Sequence, residues 1–212
     1  MRPIEKLTLK DMIEKVDLYV GLTSGLREMP LPQYIKIGRK ELHIPKTYEE
    51  LSANICYGQR LFLTQEEKND FGLIIRMIDG YYYPIYSGKT WDDDEALYFG
   101  GTVLSCKAID IYPVAIHLIG LMSELVENEN TLLHREPSKL EKAAGIEKLS
   151  VYSDLTAVDF LRQVLNKSFI EVMLTPYREC LVRFMLQKET VNFQERYFEL
   201  SKEESTPKSK YR

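Results

Sequence analysis

Hydrophobic and polar positions along this 212-residue chain follow a helical period over most of its length. From Thr8 to Val20 the apolar side chains recur every three or four positions, which predicts a helix that buries one stripe and ends at Gly21. Hydrophobic spacing and capping signals predict further helices over Tyr48–Gln59 and Gln65–Ile78. The fold class is therefore predicted to be mainly α.

A small β-hairpin interrupts this pattern near the N-terminus. Tyr34–Ile37 has the composition of a strand, Gly38–Lys40 can form a turn, and Glu41–Ile44 can return as a second strand. Pro45 then stops strand pairing, because proline has no amide hydrogen to donate. We predict a compact helical protein that carries this hairpin.

Several helix starts are marked by capping boxes, in which a Ser or Thr side chain accepts from an amide three residues later and a glutamate reaches back. The pairs are Thr47 with Glu50, Thr64 with Glu67, Ser138 with Glu141, and Ser168 with Glu171. Thr175 before Pro176 predicts another start, since proline is tolerated at the first helical position.

The most apolar stretch, Ile109 to Met122, contains Asp110, Pro113 and His117 and is too short to span a bilayer, so we interpret it as part of a core helix. Pro113 would lie in the first turn of that helix, which is predicted to run to about Glu127. The polar residues Glu127–Asn130 should close it. The N-terminus lacks the apolar run of a signal peptide, so secretion is not expected.

The pattern divides the chain into three parts. Residues 1–136 are predicted to form an N-terminal helical lobe with the hairpin and an aromatic loop, residues 137–200 a C-terminal helical lobe, and residues 201–212 a flexible polar tail. The C-terminal lobe shows three apolar stripes: Val158, Leu161 and Leu165; Tyr177, Leu181 and Phe184; and Phe193, Tyr197 and Leu200.

The segment from Gly80 to Gly101 is predicted to include an irregular loop before the next helix. Five aromatic residues make it the candidate protein-interaction site: Tyr81, Tyr82, Tyr83, Tyr86 and Trp91. The alternative is that these aromatics fill the open side of the protein's own core. Base stacking is a third possibility, but it normally needs nearby cations, and Lys89 stands alone among acidic residues.

The segment Ser87–Thr90 matches the end of a phosphate-binding loop. The complete motif needs glycine where Tyr83 stands, and Pro84 removes an amide that could bind phosphate. We interpret the segment as a turn followed by a helix, with Thr90 as N-cap and the acidic residues Asp92–Glu95 in the first turn. The acidic run lacks the spacing of a calcium-binding loop, so no metal site is expected.

The sequence carries no familiar catalytic motif. The three histidines lie outside any metal-binding or nucleophile motif: His43, His117 and His134. We expect a buried, hydrogen-bonded His117 and a surface His134. The three cysteines are far apart and have no local activating partner, as in a reducing compartment: Cys56, Cys106 and Cys180. We predict a non-enzymatic protein without a cofactor.

A formal net charge of −4 and a pI near 5.6 argue against general nucleic-acid binding, which needs a concentrated basic face. Protein–protein contacts therefore remain the favoured mode of action, and we expect no membrane partner.

A few short features carry a family resemblance: the strand that ends at Ile44-Pro45, the segment Tyr48–Ser52, the paired compact helices, and the segment Ala144–Leu149. In this layout, from Ile37 to Phe198, the chain resembles small tailed-phage morphogenesis proteins, either tail-assembly-chaperone-like proteins or small head-to-tail or tail components. The resemblance implies a structural or assembly protein that binds other virion or assembly proteins, with homo-oligomers as one form. It would act in the host cytoplasm during assembly or in the virion.

Two other functions stay open. An adaptor or regulatory protein could bind one host protein through the Tyr-rich loop. An enzyme could assemble its site from residues that are distant in the sequence.

Overall fold

The computed structural model describes residues 6–14, 23, 25–67, 69–146, 148 and 153–205. In this part of the chain the fold is mainly helical with a two-stranded antiparallel hairpin near the N-terminus, as predicted. The elements are α1 (Leu9–Glu14), β1 (Tyr34–Ile37), β2 (Lys40–His43), α2 (Tyr48–Ala53), α3 (Tyr57–Thr64), α4 (Asp70–Ser87), α5 (Asp93–Leu104), α6 (Ala108–Leu133), α7 (Lys139–Ala144), α8 (Ser153–Leu165), α9 (Phe169–Met173) and α10 (Tyr177–Ser205). The predicted continuation of α1 to Val20 and its end at Gly21 lie outside the described residues.

The hairpin matches its predicted strands to within one residue. Tyr34 pairs with His43 and Ile37 with Lys40 across a turn in which Gly38 has a φ of +58°, a value that glycine adopts without steric cost. Burial alternates along β1, where Ile35 and Ile37 enter the core, and in β2 Leu42 is the buried residue. The hairpin thereby covers part of α6.

Helix α6 is the central helix of the fold. It begins at Ala108, so Pro113 lies in its interior rather than in its first turn, and it continues past the predicted end near Glu127 to Leu133. By length and composition α6 could cross a membrane, but 50% of its most apolar window is buried inside the fold. His117 is partly buried, and its Nε2 is hydrogen-bonded to the Pro45 carbonyl at 2.8 Å, which ties α6 to the end of the hairpin.

The single helix predicted over Tyr48–Gln59 is interrupted at Asn54–Cys56. The Ile55 carbonyl accepts from the Tyr177 amide at 3.0 Å, and the Tyr57 amide donates to the Thr175 carbonyl at 2.9 Å. This backbone bridge joins the starts of α3 and α10, so a long-range contact overrides the local helical pattern. The Thr175 side chain is hydrogen-bonded to the end of α9, because its hydroxyl donates to the Glu171 carbonyl at 2.8 Å.

Helix α4 also differs from its predicted form. Asn69, and not Thr64, is the N-cap, with its side chain accepting from the Gly72 amide at 2.7 Å. The helix continues through Pro84 to Ser87, so the predicted loop is helical from Gly80 to Ser87. Pro84 cannot donate to the Gly80 carbonyl, and the Gln59 side chain does so instead at 2.9 Å. A side-chain amide from α3 thus satisfies the carbonyl that a proline would leave unpaired.

The two predicted lobes share one hydrophobic core, to which Val158, Leu161, Val172 and Tyr177 contribute alongside residues of the first 136 positions. A partly buried ion pair adds to this junction: Arg60 on α3 donates to the Glu129 carboxylate on α6 at 2.9 Å, and the Tyr177 hydroxyl donates to the same oxygen at 3.2 Å. The first five residues of the predicted tail, Ser201–Ser205, belong to α10 instead. The rest of the predicted tail, residues 206–212, lies outside the described chain.

The capping boxes at Ser138 with Glu141 and at Ser168 with Glu171 are confirmed. At α2 only half of the predicted box forms. The Thr47 hydroxyl accepts from the Glu50 amide at 3.3 Å, but the Glu50 carboxylate accepts from the Lys46 amide and contacts His43. The cap itself therefore rests on Thr47.

Thr47→Ala should lower the free energy of unfolding by about 1 kcal/mol, because an amide in the first turn of α2 would lose its acceptor. Denaturant titration measures the change. Thr47→Ser keeps the hydroxyl and serves as the control, and it should stay close to the parent. Equal losses in both variants would contradict the capping role.

Candidate functional site

Three of the five predicted interaction residues are buried in the core. Tyr81, Tyr82 and Tyr83 lie inside α4 with 2%, 0% and 4% of their surface exposed. The Tyr82 hydroxyl donates to the His43 carbonyl at 3.1 Å, and the Tyr83 hydroxyl donates to the Glu95 carboxylate. Their burial favours the alternative that these aromatics fill the protein's own core.

Tyr86 and Trp91 are half-buried and extend the same aromatic cluster toward the surface. The Tyr86 ring lies 5.0 Å from the ring of Phe99, and the Trp91 ring packs edge-on against Phe62 at 5.2 Å. Space for the indole comes from Gly58, where an added Cβ would lie 3.1 Å from two of its ring atoms. Trp91 is thus held against α3 with one side left accessible.

The accessible side of Trp91 faces a pocket of about 400 Å³ between α3, the start of α5, and α8–α9, which we call the Trp91 pocket. Its volume falls within the range of ligand-binding clefts. The lining is mainly apolar at the base and acidic at the rim: Gly58, Leu61, Phe62, Gln65, Trp91, Asp92, Asp93, Asp154, Phe169, Ile170, Met173 and Leu174. Phe169 and Ile170 of α9 are 49% and 69% exposed, so apolar surface continues outside the pocket.

The acidic rim is built by two helix starts. Asp92 is the N-cap of α5, with its carboxylate accepting from the Glu95 amide at 2.9 Å, and Asp93 follows in the first turn. Asp154 lies in the first turn of α8. None of these three carboxylates forms an ion pair with another of the described residues. The rim therefore presents negative charge that a basic group of a ligand could neutralise.

The predicted N-cap at Thr90 is wrong by two residues, because Asp92 holds that position; the acidic first turn is confirmed for Asp93–Glu95. In the segment that resembles a phosphate-binding loop, Gly88 ends α4 with a φ of +73°, and Lys89 pairs with the Glu95 carboxylate at 2.6 Å. This carboxylate holds the lysine and raises its pKa. The lysine is therefore engaged by an acid, which agrees with the interpretation of a turn.

The histidines and cysteines are dispersed. His43 is hydrogen-bonded to Glu50 at 2.7 Å, and His134 is exposed, as predicted. Burial raises the pKa of the Cys180 thiol to about 12 and also raises the pKa of Cys56 and Cys106, which disfavours their thiolates at neutral pH. Among the described residues, no group of three or more His, Cys, Asp or Glu side chains is placed to hold a metal ion.

A second, more open groove of about 910 Å³ lies between α3, α4 and α6. Its floor includes Leu73, Met77, Ile119 and Met122, and its rim carries Glu127 and His134. Polar side chains also line the groove, among them Gln65, Ser123 and Asn130, so it combines apolar area with hydrogen-bonding groups.

Helix α10 carries a further exposed apolar surface. Of the three predicted C-terminal stripes, the first two pack against the core, whereas Phe193, Tyr197 and Leu200 are exposed. The spacing correctly placed these residues on one helical face but could not show whether an element of the same chain covers that face.

The sequence identified Trp91 and the acidic run as separate features and did not identify Asp154, Phe169 or Ile170 as members of the same pocket. All three residues lie at helix starts: Asp154 is an unpaired acid at the start of α8, and Phe169 and Ile170 are exposed apolar residues at the start of α9. Such a signal is weak without the packing of α9 against α3.

Comparison of the chain with sequence-family models, with curated proteins and with solved structures gives no match in any of the three. The function is therefore inferred from the residues and their geometry.

Proposed function

We propose that this chain is a non-enzymatic structural or assembly protein that acts through protein–protein contacts, with the head-to-tail or tail region of a tailed phage as its setting. Its partners would be other virion or assembly proteins, met in the host cytoplasm or in the particle. The Trp91 pocket is the observation that carries the binding role, because it joins a partly accessible tryptophan, exposed apolar residues and unpaired carboxylates at one place. The phage setting rests on the sequence resemblance.

The chemistry of the pocket indicates the kind of partner segment. An apolar side chain would enter against Trp91, Phe62 and Met173, and a lysine or arginine beside it would reach Asp93 and Asp154 at the rim. A basic and apolar segment of another protein meets both requirements. The Tyr-rich segment that suggested a host-protein adaptor is helical and mostly buried, so it does not favour that alternative.

Co-expression with the products of neighbouring genes should yield a stable complex, and the sole tryptophan of the chain makes the contact directly measurable. Because Trp91 lines the pocket, its fluorescence should change as the partner is added. In calorimetry, Trp91→Ala should weaken binding by about 2 kcal/mol or more, as expected for an aromatic residue at the centre of an interface.

Asp93→Lys and Asp154→Lys should each weaken the same complex by at least about tenfold, because they reverse charge at the rim. Asp94→Lys is the matched control, since Asp94 belongs to the same acidic run but does not line the pocket. Asp92 is left unchanged because it caps α5. If no virion or assembly protein binds, or if all three substitutions act equally, the proposal is wrong.

A further inference from the structure

The exposed face of α10 has the spacing of a coiled-coil seam. Five apolar residues form this α10 stripe, and each is between 57% and 65% exposed: Val182, Leu186, Phe193, Tyr197 and Leu200. Leu186, Phe193 and Leu200 are seven residues apart, and Tyr197 lies four after Phe193 and three before Leu200. Alternating steps of three and four keep such residues on one side of a supercoiled helix pair. Thr190 fills the step between Leu186 and Phe193, and Val182 lies beside this seam.

The opposite face of α10 is anchored to the rest of the protein. Tyr177 and Cys180 are buried there, the Lys188 ammonium donates to the Leu132 carbonyl at 2.8 Å, and Arg135 pairs with Glu195 at 2.9 Å. These contacts hold the stripe outward along about 27 Å of helix from Val182 to Leu200. Large apolar surfaces of this kind mark interaction sites in soluble proteins.

Charges beside the stripe indicate what covers it. Glu189 and Arg196 lie on the same flank, seven residues apart, and neither forms an ion pair within the described chain. If a second copy packs antiparallel with Leu186 facing Tyr197 of that copy, each Glu189 lies beside Arg196 of the other chain. The two-fold symmetry repeats the ion pair, so both charges of both copies are matched.

On the other flank the same alignment places Gln187 beside Gln194 of the second copy, where their amides can hydrogen-bond. A parallel alignment would instead place Glu189 near Gln194 and leave the charges unmatched. Charge complementarity therefore selects the antiparallel arrangement.

We propose that two copies of this chain associate through an antiparallel pairing of their α10 stripes, held in register by reciprocal Glu189–Arg196 ion pairs. The contact is independent of the Trp91 pocket, so either surface can function if the other does not.

Sedimentation velocity of the full chain, from about 1 to about 200 µM, should show a monomer–dimer equilibrium. Glu189→Arg and Arg196→Glu should each raise the dimer dissociation constant at least about tenfold, because like charges then meet twice. Combining the two substitutions restores opposite charges and should recover most of the parent affinity. Glu199→Arg, away from the stripe, is the control and should leave the dimer unchanged.

Circular dichroism of dilute monomers checks that each variant remains folded. A chain that stays monomeric at the highest concentration would overturn the proposal, even if another protein binds the stripe. A dimer that resists both single charge reversals would also overturn it. Loss of the dimer in each single variant and its recovery in the double variant would establish the antiparallel register.

Discussion

Asp79→Asn should stabilise this protein above pH 8 and remove most of a pH dependence that the parent shows between about pH 4 and pH 8. Asp79 lies inside α4 with 1% of its surface exposed, and its Oδ1 accepts no hydrogen bond from the described residues. It faces Gly100 of α5, where an added Cβ would come within 2.6 Å of Oδ2. The carboxyl group is thus enclosed between two closely packed helices.

Burial raises the pKa of Asp79 from 3.8 to about 8. The folded protein therefore retains a proton that the unfolded chain releases above about pH 4, and stability falls as the pH rises through this interval. The slope is about 1.4 kcal/mol per pH unit, and the total loss by pH 8 is on the order of 5 kcal/mol. At higher pH both states are ionised and this dependence ends.

Denaturant titrations of the parent and of Asp79→Asn at several pH values between 4 and 9 measure the effect. Other carboxylates, including Glu50 and Glu141, have lowered pKa values, so their pH dependence has the opposite sign. Their stabilising contribution is present at neutral pH and is lost below about pH 4.5. Their contribution cancels in the difference between the two proteins. Asp93→Asn on the surface is the control for a charge change alone. Parallel pH profiles for parent and Asp79→Asn would contradict the burial argument.

The parts of the fold that could be predicted from sequence are those set by neighbouring residues. The hairpin follows from Gly38 between two short alternating runs, and the caps at Ser138 and Ser168 need only a partner three positions later. These contacts form in any context that allows a helix or a turn. Local chemistry is therefore enough to locate them.

The predictions of helix boundaries are wrong where contacts with residues distant in the sequence determine where a helix ends or continues. Pro84 indicates a loop until Gln59, from a different helix, supplies the donor that the proline lacks. Similarly, the break after α2 depends on backbone bonds to Thr175 and Tyr177. Neither partner can be identified by periodicity, because its effect depends on which helices pack together.

The candidate site likewise combines residues that the sequence indicates with residues that only tertiary packing brings to it. Trp91, which the sequence suggests as an interaction residue, is half-buried and lines the pocket. The three tyrosines before it follow one another on a helix, and the sequence pattern did not show that this part of the helix faces the core. Asp154 joins the pocket only because α8 and α9 pack beside α3 and the start of α5. Site membership is thus a property of tertiary packing, whereas residue chemistry is a property of the sequence.

Tyr82→Ala should lower the free energy of unfolding by about 3–5 kcal/mol, as large-to-small substitutions of buried aromatic residues do. The Tyr82 ring has no exposed surface and lies edge-on to Tyr81 with ring centroids 4.9 Å apart. Truncation would leave a cavity between α4 and the hairpin and would remove the hydroxyl that donates to the His43 carbonyl. Chemical denaturation monitored by circular dichroism gives the magnitude.

A second variant separates the contribution of the hydroxyl from that of the ring, and a third serves as the control. Tyr82→Phe retains the ring and removes only the hydroxyl, so it should cost about 1 kcal/mol from the unpaired carbonyl. Tyr98→Ala removes a tyrosine that is 85% exposed on α5 and should change stability by less than about 0.5 kcal/mol. If Tyr82 instead formed a partner contact, its truncation would resemble that of Tyr98 in unfolding experiments and would reduce only association. A large loss for Tyr82→Ala beside a small one for Tyr98→Ala would therefore assign the Tyr-rich segment of α4 to the core.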